Sequence, residues 1–175
     1  MDGILSKIVT IIMVVLLLFG TTLNNEYWLM ERKIYSHVNT LTFQFAKTVR
    51  NKGYVNKTDY ENFLKDLSKT GRYYDVKMLY TKILYYPLTP SSPGYTVQKP
   101  YSEENFKYGN SAIFAKLYNI TNPQDYIMPV GDNFKITVAD DGTLGTRIFN
   151  KFLNNNRQGG EILAVYGGAI GNESD

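Results

Sequence analysis

The residues able to do chemistry are few. The 175-residue chain has one histidine, His37, and no cysteine. The lack of cysteine excludes disulfides, thiolate zinc sites and thiol nucleophiles. One histidine cannot build a multi-histidine metal centre, and no serine lies in a Gly-x-Ser-x-Gly elbow. His37 is therefore expected to be a polar position on a long helix. Acidic residues cluster at Asp140-Asp141-Gly142. With Asp132 or Glu161 they could contribute to a Ca²⁺ site, but Asp before Gly also suits a turn and the start of a helix, which is the expected role. Gly167-Gly168 reads as a relaxed strand end rather than a ligand cradle. There is no Gly-rich phosphate loop, no His-Glu-x-x-His and no EF-hand spacing. The sequence predicts no enzyme, no cofactor and no metal.

Charge narrows the partners. The net charge is only +3, and the Lys and Arg residues are scattered. No basic run with interleaved aromatics points to nucleic acid. Tyrosine is common, at 15 residues, and asparagine recurs, as in Asn154-Asn155-Asn156. That bias reads either as A/T-rich coding or as a polar-aromatic contact surface.

The elements that would position these residues begin with an uncharged apolar run, Ile8 to Phe19, preceded by Lys7. Extended from Ile4 to Leu23, it approaches the ~20 residues that cross a bilayer. The expectation is a retained transmembrane anchor over 1–23, N-terminus inside, in a single-pass membrane protein with its C-terminal domain extracytoplasmic. A cleaved signal peptide is the rival, but Gly20-Thr21-Thr22 supplies no Ala for cleavage. From Leu23 onward neither Pro nor Gly interrupts the chain until Gly53, and apolar residues recur every three or four positions: Tyr27, Met30, Ile34, Val38, Leu41, Phe45 and Val49. Such spacing makes one stripe on a helix. An amphipathic extension over 24–53 is expected, its stripe serving packing or assembly and ending at Gly53.

The remaining 54–175 reads as an α+β head, a small sheet packed with helices. Thr58 and Glu61 fit a capping box before a helix whose face is Tyr60, Phe63, Leu64 and Leu67, and Gly71 stops it. Val76, Met78 and Tyr80 alternate with Lys77, Leu79 and Thr81 in a strand within Tyr73 to Tyr86. Pro87, Pro90, Pro93 and Pro100 predict a long irregular excursion reaching Tyr108. The segment 111–118 reads equally as helix or strand. Phe134, Ile136 and Val138 mark a second strand. Thr143 could cap a helix carrying Leu144, Ile148, Phe152 and Leu153. Ile162 to Tyr166 is a continuous apolar run, expected of a strand covered on both faces.

Leu41-Thr-Phe-Gln-Phe, Arg50-Asn-Lys-Gly53-Tyr54, Tyr60-Glu-Asn-Phe63-Leu64 and Leu67-Ser-Lys-Thr-Gly71 resemble segments of the TadE/TadF-like minor components of Flp (tight adherence) pilus systems in low-GC Gram-positive bacteria. The order of apolar helix, amphipathic helix and small α+β head is similar to prepilin-like proteins as a class. The resemblance implies a minor pilin-like or accessory subunit of a type IV or Tad-type pilus or secretion assembly. Its expected partners are the lipid bilayer and other pilin-like or secretion-system subunits. Prepilins are cut after Gly or Ala and often carry Glu five residues further on. Here only Gly3 could be such a site, and the fifth residue after it is Ile8. The alternative function is a membrane-tethered extracytoplasmic binding or sensor domain working through the Pro87–Tyr108 excursion.

Overall fold

The computed structural model describes residues 2–142 and 161–171, with side chains placed for all of these except 2, 4, 5, 20–25, 27, 28 and 161. The helix predicted after Thr143 lies outside the described residues. Helix α1 runs Asp2–Lys52 and meets Gly53 at φ 73°, a left-handed conformation that glycine adopts without strain. The chain divides within α1 into two compact units, 1–37 and 38–175.

The membrane anchor is a correction. Among the described residues no helix is long and apolar enough to cross a membrane. The uncharged apolar run with described side chains is Ile8–Phe19. At 1.5 Å per residue it rises only about 18 Å, against about 30 Å of bilayer hydrocarbon. The single-pass description and the membrane localisation rested on that span and go with it. The α+β class remains.

In the second unit the end of α1 is followed by β1 (Tyr54–Val55), α2 (Lys57–Ser68), β2 (Tyr73–Pro87), β3 (Tyr101–Tyr108), α3 (Asn110–Leu117), β4 (Tyr126–Ile127), β5 (Asn133–Gly142) and β6 (Glu161–Ala169). β1 and β4 form a two-stranded ribbon, and the main antiparallel sheet has the order β3-β2-β5-β6. Met78, Ile136 and Tyr166 stand in register across it. Val76, Met78 and Tyr80 are buried with Phe134, Ile136, Val138 and Ala164, so alternation along β2 and β5 does put one face inward. The helices join through rings: Phe45 stacks on Phe63 at 4.6 Å, and Tyr60 tilts against Phe114 at 5.3 Å. Phe43 meets Tyr166 of β6 edge-on at 5.4 Å.

Four local expectations need correcting. The α2 cap is Asn56, not Thr58: Asn56 is extended and its Oδ1 accepts from the Asp59 N–H at 2.6 Å, while Thr58 lies inside the helix. The excursion after Pro87 is irregular only over 88–100, because Tyr101–Tyr108 returns as β3 paired with β2. Asp140-Asp141-Gly142 belongs to β5 rather than to a turn. β6 is covered on one face only, with Ile162 61 % exposed and Val165 also open. The undecided segment 111–118 is helical through Leu117.

Side chains take over where partner strands stop. β3 pairs with β2 only from Tyr80 onward, and beyond that Asn110 substitutes for a strand. Its Nδ2 donates to Val76 O at 2.7 Å and its Oδ1 accepts from the Met78 N–H at 2.6 Å. On the other side β5 pairs with β2 only as far as Thr81. Past it, Asp132 accepts from the Ile83 N–H at 2.9 Å and from the Tyr80 hydroxyl at 2.5 Å. Asp132 is nearly sealed, and these bonds answer both of its oxygens.

Candidate assembly surface

Between Ile8 and Phe19 the helix carries eleven large apolar side chains, from Ile8, Val9 and Ile11 through to Leu18 and Phe19, each 44–66 % exposed. At 100° per residue such a run places apolar groups on every side of the helix, with no polar face. Thr10 is the one polar residue in it, and its hydroxyl donates back to Ser6 O at 2.8 Å. That bond spares the helix an open polar group.

The predicted stripe meets several environments. Tyr27 has no described side chain. Met30 is 59 % exposed, Ile34 and Leu41 are half-buried, and Val38, Phe45 and Val49 are buried. Thr42 and Ala46 are buried as well, although the sequence reading did not include them in the stripe. The Thr42 hydroxyl donates to Val38 O at 2.7 Å, which is how a polar residue is accommodated on an inward face. Their small size at three- and four-residue spacing from Val38, Phe45 and Val49 was the available signal.

The candidate chemical residues are held apart or engaged. His37 is exposed on α1. Asp140 Oδ2 pairs with Arg72 Nη1 at 2.6 Å, and Asp140 Oδ1 accepts from the Gly142 N–H at 2.7 Å. Asp132 lies eight residues earlier, roughly 26 Å away at 3.3 Å per strand residue. The two cannot share an ion. Glu161 stands opposite Asp140 in the β5–β6 register. Among the described residues no group of three or more His, Asp or Glu gathers to hold a metal. Gly167 and Gly168 lie within β6, and both are packed against: a Cβ at Gly167 would fall 2.8 Å from Phe134 O, and one at Gly168 2.8 Å from Arg50 Cζ.

Several tyrosines are perturbed by burial. Burial pushes Tyr60 up to about 12. Tyr80 is raised further, first by burial and then by the hydrogen bond it donates to Asp132. Both keep their protons throughout the physiological range and serve as packing and donor groups. Lys52 is raised by its bond to Asp59 at 2.7 Å.

A second exposed surface lies on β2 and β3. Residues 82–87 of β2 pair only with 101–106 of β3, a two-stranded arm beyond the rest of the sheet. It exposes Tyr85, Tyr86, Tyr101 and Phe106. Tyr85 and Tyr101 meet edge-on at 5.2 Å.

Fold and surfaces together define an α+β protein with an apolar N-terminal helix and no assembled catalytic group among the described residues. No family model, curated protein or solved structure matches the chain.

Proposed function

We propose that the protein is a structural subunit of a multi-chain assembly, of the minor pilin-like or accessory kind, in which N-terminal helices of neighbouring subunits pack on one another. The observation that carries this reading is the apolar run Ile8–Phe19, exposed on every side of its helix. Each large side chain of this type gains roughly 1.5–3 kcal/mol on leaving water. A single neighbouring helix would cover one side only, so a bundle of like helices answers the pattern. The resemblance of the 41–71 segments to TadE/TadF-like subunits supports the same reading. It assigns no catalysis.

The test compares the full chain with an Ile11→Asp/Leu16→Asp variant by sedimentation velocity and electron microscopy in detergent-free buffer. The wild-type chain should form defined multimers or filaments, and the variant should sediment as a folded monomer. A monomeric wild-type chain, or a variant that assembles equally well, would overturn the proposal. So would insertion into phosphatidylcholine vesicles with no self-association.

The exposed tyrosines of the β2–β3 arm favour a second reading, a binding domain that recognises its target through the arm. Tyr85→Ser/Tyr101→Ser should leave assembly intact under the first reading and abolish target capture under the second.

A further inference from the structure

Between the end of α1 and β6 lies an open cavity of about 400 Å³ lined by Phe43, Lys47, Arg50, Asn51, Tyr166 and Gly167, among others. Its volume falls in the range of small-molecule sites. Its lining is graded. Phe43 and Tyr166 meet edge-on at one end. Arg50 lies seven residues after Phe43, about 10 Å along the helix at 1.5 Å per residue. Lys47 lies one turn before Arg50, on the same side of α1.

Arg50 is pre-positioned. Its Nε donates to Ala169 O at 2.8 Å, and its own carbonyl accepts from the Gly171 N–H at 3.2 Å. Gly168, at φ 155°, leaves the space in which the guanidinium sits, since a Cβ there would lie 2.8 Å from Cζ. Among the described residues, neither terminal nitrogen of Arg50 nor the Lys47 ammonium has a hydrogen-bond or ion-pair partner. The acidic residues that are paired elsewhere, such as Asp59 and Asp140, are spent on Lys52 and Arg72. Among the described residues, two cations without a carboxylate partner therefore face one cavity, and one of them is a guanidinium fork held by its Nε bond. That fork matches a carboxylate in two parallel hydrogen bonds.

We propose that this cavity binds a carboxylate carrying an apolar ring or short aliphatic body, its charge at Arg50 and Lys47 and its apolar end against Phe43 and Tyr166. The carboxylate comes from a free organic acid or from the C-terminal residue of a peptide. The site is separate from the apolar run 8–19, so its existence does not rest on the assembly reading.

The experiment titrates the full chain, by calorimetry and by NMR shifts, with 3-phenylpropionate, 3-phenylpropionamide, an N-acetyl tripeptide ending in Phe, the C-terminal amide of that tripeptide, and inorganic phosphate. Saturable binding of 3-phenylpropionate or of the free-acid peptide is expected, and the tighter of the two identifies the source. The amides should bind at least tenfold more weakly. Arg50→Gln should weaken binding at least tenfold and Lys47→Gln several-fold. Lys47 is exposed and has no partner among the described residues, so its variant reports on the site even if Arg50→Gln disturbs the fold. Absence of saturable binding by either acid would overturn the proposal, as would amides binding equally or Lys47→Gln binding unchanged. Phosphate binding as tightly as phenylpropionate would overturn the apolar half of the assignment.

Discussion

Between Ile8 and Phe19, helix α1 shows aliphatic side chains on every side, and they are exposed. Between Val38 and Val49 the same helix alternates apolar with polar, and Val38, Thr42, Phe45, Ala46 and Val49 are buried while Phe43, Gln44 and Lys47 are not. The more apolar half is the less buried one within the chain. Total hydrophobicity therefore says little about which residues make this core. Angular distribution does, because a one-sided stripe can be completed by one sheet and two helices, whereas an all-round surface needs several partners.

The sharpest way to break that comparison is a pair of truncations in the Ile11→Asp/Leu16→Asp background. Phe134→Ala, at a fully buried position, should cost about 3–5 kcal/mol in urea unfolding followed by tyrosine near-ultraviolet dichroism. Leu17→Ala should cost less than about 0.5 kcal/mol by the same measurement. Comparable costs would mean that the exposed run belongs to the folding core after all.

The buried polar join comes next. Asp132→Ala strands the Tyr80 hydroxyl and the Ile83 N–H and should cost roughly 3 kcal/mol. Tyr80→Phe removes one of the two donors and should cost roughly half as much. A neutral Asp132→Ala would show that the end of β2 does not need its substitute partner.

Alkaline pH separates the regions again, because the perturbed tyrosines lie in the packed one. Above the ordinary tyrosine value near 10, the unfolded chain gives up phenolic protons that Tyr60, at about 12, and Tyr80 still hold when folded. The unfolded state then binds fewer protons, so stability falls as pH rises. The urea midpoint should be flat up to about pH 10 and drop beyond it, less steeply in Tyr80→Phe. A midpoint that rises above pH 10 would contradict this sign.

The smallest effect discriminates between two caps. Asn56→Ala should cost about 1 kcal/mol and Thr58→Ala only a few tenths. The reverse order in thermal melts would restore the capping box to Thr58.

Some of this was legible in the residues and some was not. β2 and β5 announced themselves because one of their faces is buried, and burial on one face imposes alternation. β3 stayed hidden for the opposite reason: Tyr101-Ser-Glu-Glu-Asn-Phe-Lys-Tyr108 is exposed along nearly its whole length, so no periodicity was imposed on it. β6 reads as covered on both faces because Ile162-Leu163-Ala164-Val165-Tyr166 is apolar in unbroken succession, yet only Ala164 is buried, Leu163 and Tyr166 are half-buried, and Ile162 and Val165 are exposed. Asn56 was passed over because Thr58 and Glu61 satisfied a known spacing two residues later. The anchor was inferred by joining Ile8–Phe19 to its flanks, and no span emerges from the described residues. The Arg50 cavity had no sequence signal. It depends on Gly168 lying beside a side chain 118 positions earlier, a proximity that only the sheet register creates.

The strand order β3-β2-β5-β6 also sets the sequence in which the sheet can form. β2 and β3 are separated only by residues 88–100, a much smaller gap than that between β2 and β5, so this hairpin can close earlier. The central pair cannot, because Met78 and Ile136 are partners 58 positions apart. Bringing them together carries the entropy of closing that loop before most of its contacts repay it. β2–β5 pairing is thus the slow, committing event, and until it occurs the hairpin holds one open edge that Asp132 and β5 will later occupy. A chain in which the hairpin closes first would present that open edge, and a second copy of β2 would be a competitor matched to fill it.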